Sequence, residues 1–167
     1  MTPEQIAASG TESGHQRALF AKVNADLWQL QMQNEHYLPT NDKFRGLWDG
    51  ADRRWAAPLR FLHSIPNGGS RGDSTRSRAI RGATMKAEGV KEGIPDLFLP
   101  FPHVVALPAY ETTAMYAGLY LEMKKPGGKP SKEQLEFRDY ALSVGYAWHL
   151  CDTWEKAYEV IVNYLKP

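Results

Sequence analysis

The sequence predicts a mixed α/β fold, a small mixed β-sheet flanked by helices. Three observations carry that expectation. Short apolar runs of strand length stand at Leu97–Leu99, Leu119–Lys124 and Tyr146–Cys151. Segments with helical periodicity or helix caps lie before, between and after them. Helices and strands are interleaved along the chain, with no internal repeat and no low-complexity segment.

Taken in order, Thr11 to Leu30 reads as an amphipathic helix. Thr11 or Ser13 is its cap, and Leu19, Val23, Leu27 and Leu30 recur at helical spacing. From about 31 to 58 the periodicity is broken by Pro39, Gly46 and Gly50, so short helical pieces and loops are expected there. "LRFLHSI", Leu59 to Ile65, reads as a strand ending at Pro66, and "NGGSRGDSTRS" as a loop. Arg78 to Glu88 is a helix stopped by Gly89. Leu97–Leu99 is a short strand. Phe101 to Ala117 is an excursion, Leu119–Lys124 the next strand, and "KPGGKP" a turn. Ser131 caps a helix of about a dozen residues, with Gln134 three positions on, as in a capping box. Tyr146 to Cys151 forms another strand, and Thr153 caps a last helix to Leu165.

The totals set bounds. A chain of 167 residues with 43% hydrophobic residues is expected to form one domain with a real core. The formal net charge is +1, so affinity for nucleic acid must come from local patches. Cys151 is the only cysteine, which rules out an intrachain disulfide and a cysteine-based zinc site. His15, His36, His63, His103 and His149 have no metal-ligand spacing, and the five tryptophans are scattered like core anchors rather than a stacking platform. No apolar run reaches membrane-spanning length and no signal-peptide pattern opens the chain. A cytoplasmic protein with no membrane contact is the expectation.

The chemistry gathers around "GIPDLFLP" and "LYLEMKK". Side chains alternate along a strand, so Glu122 and Lys124 share a face, roughly 6–7 Å apart at the backbone. If the two strands pair, Asp96 comes close to Glu122. Two approaching carboxylates repel, and burial sharpens the repulsion. A hard divalent cation, Mg²⁺ or Mn²⁺, relieves it, with the Met123 carbonyl as a further ligand. Read alone, Glu122 and Lys124 are equally an ion pair of little energetic weight. Arg71, Arg76, Arg78, Arg81 and Lys86, in a Gly/Ser/Thr setting, suit phosphate oxygens, and Lys125 and Lys129 add charge after the second strand.

Pro95-Asp96 followed by Glu122-x-Lys124 resembles the PD-(D/E)xK nucleases of the restriction-endonuclease-like fold. "IPNGGSR", "AEGVKEGIPDLFLP" and "LYLEMKKPGGKPSKEQ" narrow the resemblance to the VRR-NUC domain, the virus-type replication-repair nuclease. It runs from about Glu12 to Leu165 with Gln31 to Pro58 unmatched, so residues 1–167 are expected to be one VRR-NUC-like domain with an irregular insertion at about 31–58. The resemblance implies a restriction-endonuclease-like core with Asp96, Glu122 and Lys124 as the catalytic set. It implies Glu12 as a metal-site acid, with Gln16 one turn along the same helix face beside it. Gln134 is either a site residue or only the capping partner of Ser131. The implied activity is Mg²⁺- or Mn²⁺-dependent hydrolysis of DNA phosphodiesters. Branched DNA cut by a homodimer, as in Holliday-junction resolvases of phage or prophage type, is the first expectation, placed in the host cytoplasm if the protein is phage-encoded. A monomeric nicking or flap nuclease, or a non-catalytic DNA-binding module of the same fold, is the alternative.

Overall fold

The computed structural model describes residues 1–33, 54–66, 75–107 and 112–165; for 28–33, 54–57, 75–79, 81, 104–107 and 112–114 it describes the backbone course alone. The chain opens with a short helix, α1 (Pro3–Ala7), and the long α2 (Glu12–Gln33). A 3₁₀ helix, Arg54–Phe61, leads into β1 (His63–Ser64), followed by α3 (Thr75–Ala87) and β2 (Leu97–Leu99). A hairpin follows, β3 (His103–Leu107) and β4 (Thr112–Tyr116). The chain finishes with β5 (Leu119–Met123), α4 (Lys132–Ser143), β6 (Ala147–Cys151) and α5 (Trp154–Leu165).

Four strands form one sheet in the order β1-β2-β5-β6. β1 with β2 and β2 with β5 are antiparallel, and β5 with β6 is parallel, so the sheet is mixed. The fold is therefore α/β, a small mixed sheet flanked by helices. Among the described residues β3 and β4 pair only with each other, as a separate two-stranded ribbon.

Strand alternation divides the sheet into two unlike faces. One carries Leu97, Leu99, Leu119, Leu121 and Met123, all fully buried. They share a core with Leu19 and Val23 of α2 and with Trp154, Ala157 and Ile161 of α5. On α5 the buried positions Trp154, Ala157, Ile161 and Tyr164 recur every three or four residues, the spacing of one helix face. The opposite face is aromatic. Phe98 stacks on Tyr120 at 4.5 Å, and Tyr120 meets the edge of Phe137 from α4 at 5.1 Å.

The caps follow the sequence. Thr11 Oγ1 accepts the Gly14 N–H at 3.0 Å at the start of α2, and Thr153 Oγ1 accepts the Lys156 N–H at 3.3 Å at the start of α5. Thr2 and Gln5 form a capping box that starts α1, a signal present in "TPEQ" but not read as a helix.

Other expectations fail for identifiable reasons. The strand expected at Leu59–Ile65 is mostly 3₁₀ helix, and only His63–Ser64 pairs with β2. Pro58 presets a helical φ there, and Leu59 and Leu62, three apart, turn inward as they would in a helix. The excursion at Phe101–Ala117 holds the β3–β4 ribbon, whose alternation was masked by its flanking prolines. Helix α3 starts three residues earlier than expected. The 31–58 stretch begins as the end of α2 and finishes as 3₁₀ helix; residues 34–53 lie outside the described residues. No described helix is long and apolar enough to cross a membrane.

Candidate active site

The site is built where the antiparallel β2–β5 pair ends. Leu97 faces Leu121 in the ladder, so the same register carried one residue further sets Asp96 opposite Glu122. β2 is only three residues long, and past its end the Met123 N–H has no β2 ladder partner. The Asp96 side chain takes that place, its Oδ2 accepting the Met123 N–H at 2.9 Å. The chain enters β2 through Gly93, whose φ is +85°, a conformation that costs glycine little. A Cβ at Gly93 would also stand 2.5 Å from the Glu133 carbonyl oxygen, so the entrance lies directly against α4.

Glu122 is fully buried on the aromatic face of the sheet. Its Oε1 takes two donors, the Lys124 ammonium at 2.5 Å and the Gln134 side-chain amide. Gln134 also completes the capping box of α4: its N–H is accepted by Ser131 Oγ at 3.2 Å, and its Oε1 accepts the Ser131 N–H at 2.8 Å. The two readings of Gln134 left open by the sequence thus coexist. Because the amide oxygen is committed to the cap, the NH₂ group points at Glu122. Glu122 Oε2, by contrast, is buried and has no hydrogen-bond partner among the described residues.

Burial raises the Glu122 carboxyl to about 7, with the Asp96 and Glu12 charges adding to the rise and Lys124 opposing it. Burial pulls the Lys124 ammonium down, but its hydrogen bond to Glu122 and the charges of Glu122, Glu12 and Asp96 outweigh that and hold it above its ordinary range. Glu12, the first residue of α2, lies 3.9 Å from the same ammonium. Burial raises its carboxyl as well, Lys124 opposing and Asp96 adding.

Asp96, Glu122, Lys124, Gln134 and Glu12, five residues from four separate places in the chain, are thereby gathered at one end of the sheet. Gln16, one turn along α2, is half-buried and makes no hydrogen bond to this group among the described residues. The Met123 side chain is buried on the opposite face, and its backbone touches the site through the N–H. Lys125 and Lys129 are exposed in the turn beside the site. Lys86 is exposed and paired with Glu92 at 2.8 Å. Arg71 lies outside the described residues, as do the side chains of Arg76, Arg78 and Arg81, whose backbone belongs to α3.

Two contributors were not singled out from the sequence. Tyr120 shares the face of Glu122 and helps to make the aromatic wall beside it; strict alternation in "LYLEM" is the signal that finds it. His15 is buried on α2, and its Nδ1 accepts the Trp154 N–H at 3.4 Å, tying the first turns of α2 and α5 together.

The donor set is that of a hard cation. Asp96 and Glu122 offer oxygen ligands, and the buried Oε2 of Glu122, without a partner among the described residues, is free to take a cation. Among the described residues no group of three or more His, Cys, Asp or Glu side chains is arranged to hold a metal ion. The fit is to a pair of carboxylates, the number that Mg²⁺ commonly takes when water and phosphate oxygens complete its shell.

Comparison with protein-family models finds no match, and comparison with the curated proteins finds none. Among solved structures, the chain is similar to a "VRR_NUC domain protein" at 18% identity and a TM-score of 0.46, over 85% of this chain and 86% of that one. So distant a likeness says nothing of activity, which must be sought in the side chains themselves.

Proposed function

We propose that this protein is a Mg²⁺- or Mn²⁺-dependent nuclease that hydrolyses DNA phosphodiesters. The observation that carries the proposal is the buried Glu122, set opposite Asp96, with one oxygen held by Lys124 and Gln134 and the other without a partner among the described residues. A buried carboxylate in that condition is costly as plain structure and apt as one half of a cation site.

Asp96 and Glu122 would hold the metal, with the Met123 carbonyl as a further candidate ligand and Glu12 as an acid beside the site. Once bound, such a metal polarises the scissile phosphate and acidifies a water molecule. The chain's own residues do the rest. Gln134 fixes the orientation of the Glu122 carboxylate through a helix cap that keeps its own amide in place. Lys124 sets an ammonium beside the reacting phosphate, where negative charge builds in the transition state. Lys125 and Lys129 draw the DNA backbone to the rim of the site, and Arg71, Arg76, Arg78, Arg81 and Lys86 are proposed to extend that contact.

Incubation of supercoiled plasmid with the protein and Mn²⁺ is expected to give nicked circles, and EDTA is expected to stop the reaction. Binding with no cleavage under any divalent cation would identify a non-catalytic DNA-binding module instead. The finer expectation, a homodimer that resolves branched DNA, is checked with labelled four-way junction, flap and plain duplex beside a sizing column. Equal cleavage of all three by a monomer defeats it.

The lysines give a second expected result. DNA affinity should fall steeply with salt, and replacing both Lys125 and Lys129 by Ala should reduce the slope of log affinity against log salt by about two. Titrations at several salt concentrations measure this, and an unchanged slope removes the two lysines from the interface.

A further inference from the structure

The Lys124 ammonium has two carboxylate seats. Its Nζ stands 2.5 Å from Glu122 Oε1 and 3.9 Å from Glu12 Oε2. The seats differ in kind. Glu122 is fully buried and also receives Gln134, whereas the Glu12 side chain is 44% exposed. Lys124 itself is only 17% exposed in its side chain, so it is confined to the cluster rather than free to swing into solvent. A positive charge against the inner carboxylate competes with any divalent cation that uses the same group. If such a cation binds, the ammonium must give ground, and Glu12 is the acceptor already beside it. Glu12 sits in the first turn of a helix whose start is capped by Thr11, so its backbone is held in place. Among the described residues its only salt bridge is to Lys124, and no third carboxylate closes with Asp96 and Glu122 into a ligand group.

We propose that Glu12 is a positioning residue for Lys124, the seat on which the ammonium rests when Glu122 turns to a divalent cation, and not itself a ligand of that cation. The proposal rests on the reading of Asp96 and Glu122 as a cation site. It makes the cluster a seesaw. Lys124 neutralises Glu122 when no cation is present and is passed outward to Glu12 when one arrives. In the second position the ammonium is held near the reacting phosphate by a partner that the cation does not share.

The test is a double-mutant cycle read by Mn²⁺ titration calorimetry on the full chain, with wild type, Glu12→Gln, Lys124→Met and the double variant. Lys124→Met should tighten Mn²⁺ binding, because the competing charge is gone. Glu12→Gln should weaken it about fivefold while Lys124 is present, since the ammonium then has only Glu122 to occupy. In the Lys124→Met background the same change should have no effect. An equal loss in both backgrounds, of whatever size, makes Glu12 act on the cation without Lys124 and overturns the proposal. No change in either background overturns it too. If wild type binds no Mn²⁺, the cation site itself fails, and the proposal with it. A second readout is catalytic. Glu12→Gln should lower kcat with KM for DNA unchanged, Glu12→Asp should restore part of the loss, and Glu12→Gln should add nothing to Lys124→Met. Additive losses in kcat contradict the proposal. Circular dichroism and melting curves confirm that each variant is folded before it is measured.

Discussion

Asp96→Asn is expected to lower metal-dependent DNA cleavage by about a thousandfold while leaving the fold and DNA binding near wild type. The magnitude follows from losing a charged oxygen ligand, since a catalytic metal supplies several kcal/mol of transition-state stabilisation and each 1.4 kcal/mol or so is tenfold in rate. Asparagine is the informative replacement because Asp96 has two jobs. Its Oδ2 accepts the Met123 N–H where β2 runs out. An amide oxygen accepts that N–H equally well, so the strand end stays closed and only the charge is lost. Asp96→Ala removes both, and the buried end of the ladder is then expected to cost a further 1 kcal/mol or so in stability. Cleavage kinetics and melting curves on the pair separate the two jobs. Full activity in Asp96→Asn with Mg²⁺ present would remove Asp96 from the site.

Much of this site was legible because strands have a period of two. Parity alone puts Glu122 and Lys124 on one face and Met123 on the other, and pairing of the two apolar runs puts Asp96 across from Glu122. Serine followed three residues later by glutamine marks the start of α4 and so locates Gln134. Less was legible where a local cue served two masters. "LRFLHSI" alternates well enough for a strand, but Pro58 and the inward turn of Leu59 and Leu62 make most of it 3₁₀ helix. Pro100, Pro102 and Pro108 hide the β3–β4 ribbon, since prolines at the ends of strands look the same as prolines that forbid them.

The burial of Glu122 was not legible, because it depends on what covers the sheet. Tyr120 and Glu122 are neighbours in strand alternation, and nothing in "LYLEM" tells that α4 will close over both. That cover comes from Phe137 and Gln134, on successive turns of α4, and from the glycine at 93 that lets the β2 entrance lie against the helix. The same closure produces the chemical tension in the site. A carboxylate is kept away from water with Lys124 and Gln134 on one oxygen and no partner among the described residues on the other.

That tension predicts the second large effect, on stability. In metal-free buffer the wild-type protein should lose stability as pH rises from about 5 to 8, and Glu122→Gln should abolish that part of the loss. Glu122 titrates at 4.5 when unperturbed and at about 7 in the folded protein, where burial is the largest cause of the rise. The folded state therefore holds the proton more tightly than the unfolded chain does. Its contribution to stability is complete below 4.5 and is lost as pH climbs through about 7. Above that, the ionised buried carboxylate costs about 3 kcal/mol relative to its protonated form. Because the side chain is fully buried, solvent screening gives little relief. Glutamine keeps an oxygen for Lys124 and Gln134 and carries no charge to bury. It should therefore raise the melting temperature at pH 8 by roughly 5–10 °C for a chain of this size, while eliminating cleavage. At pH 5 the two proteins should melt close together, because wild-type Glu122 is then protonated in the folded state. Calorimetric melts at pH 5 and pH 8 in EDTA decide the matter. If Glu122→Gln melts below wild type at pH 8, the buried carboxylate stabilises the fold as an ordinary ion-pair partner of Lys124. The physical reason for reading it as half of a cation site would then be gone.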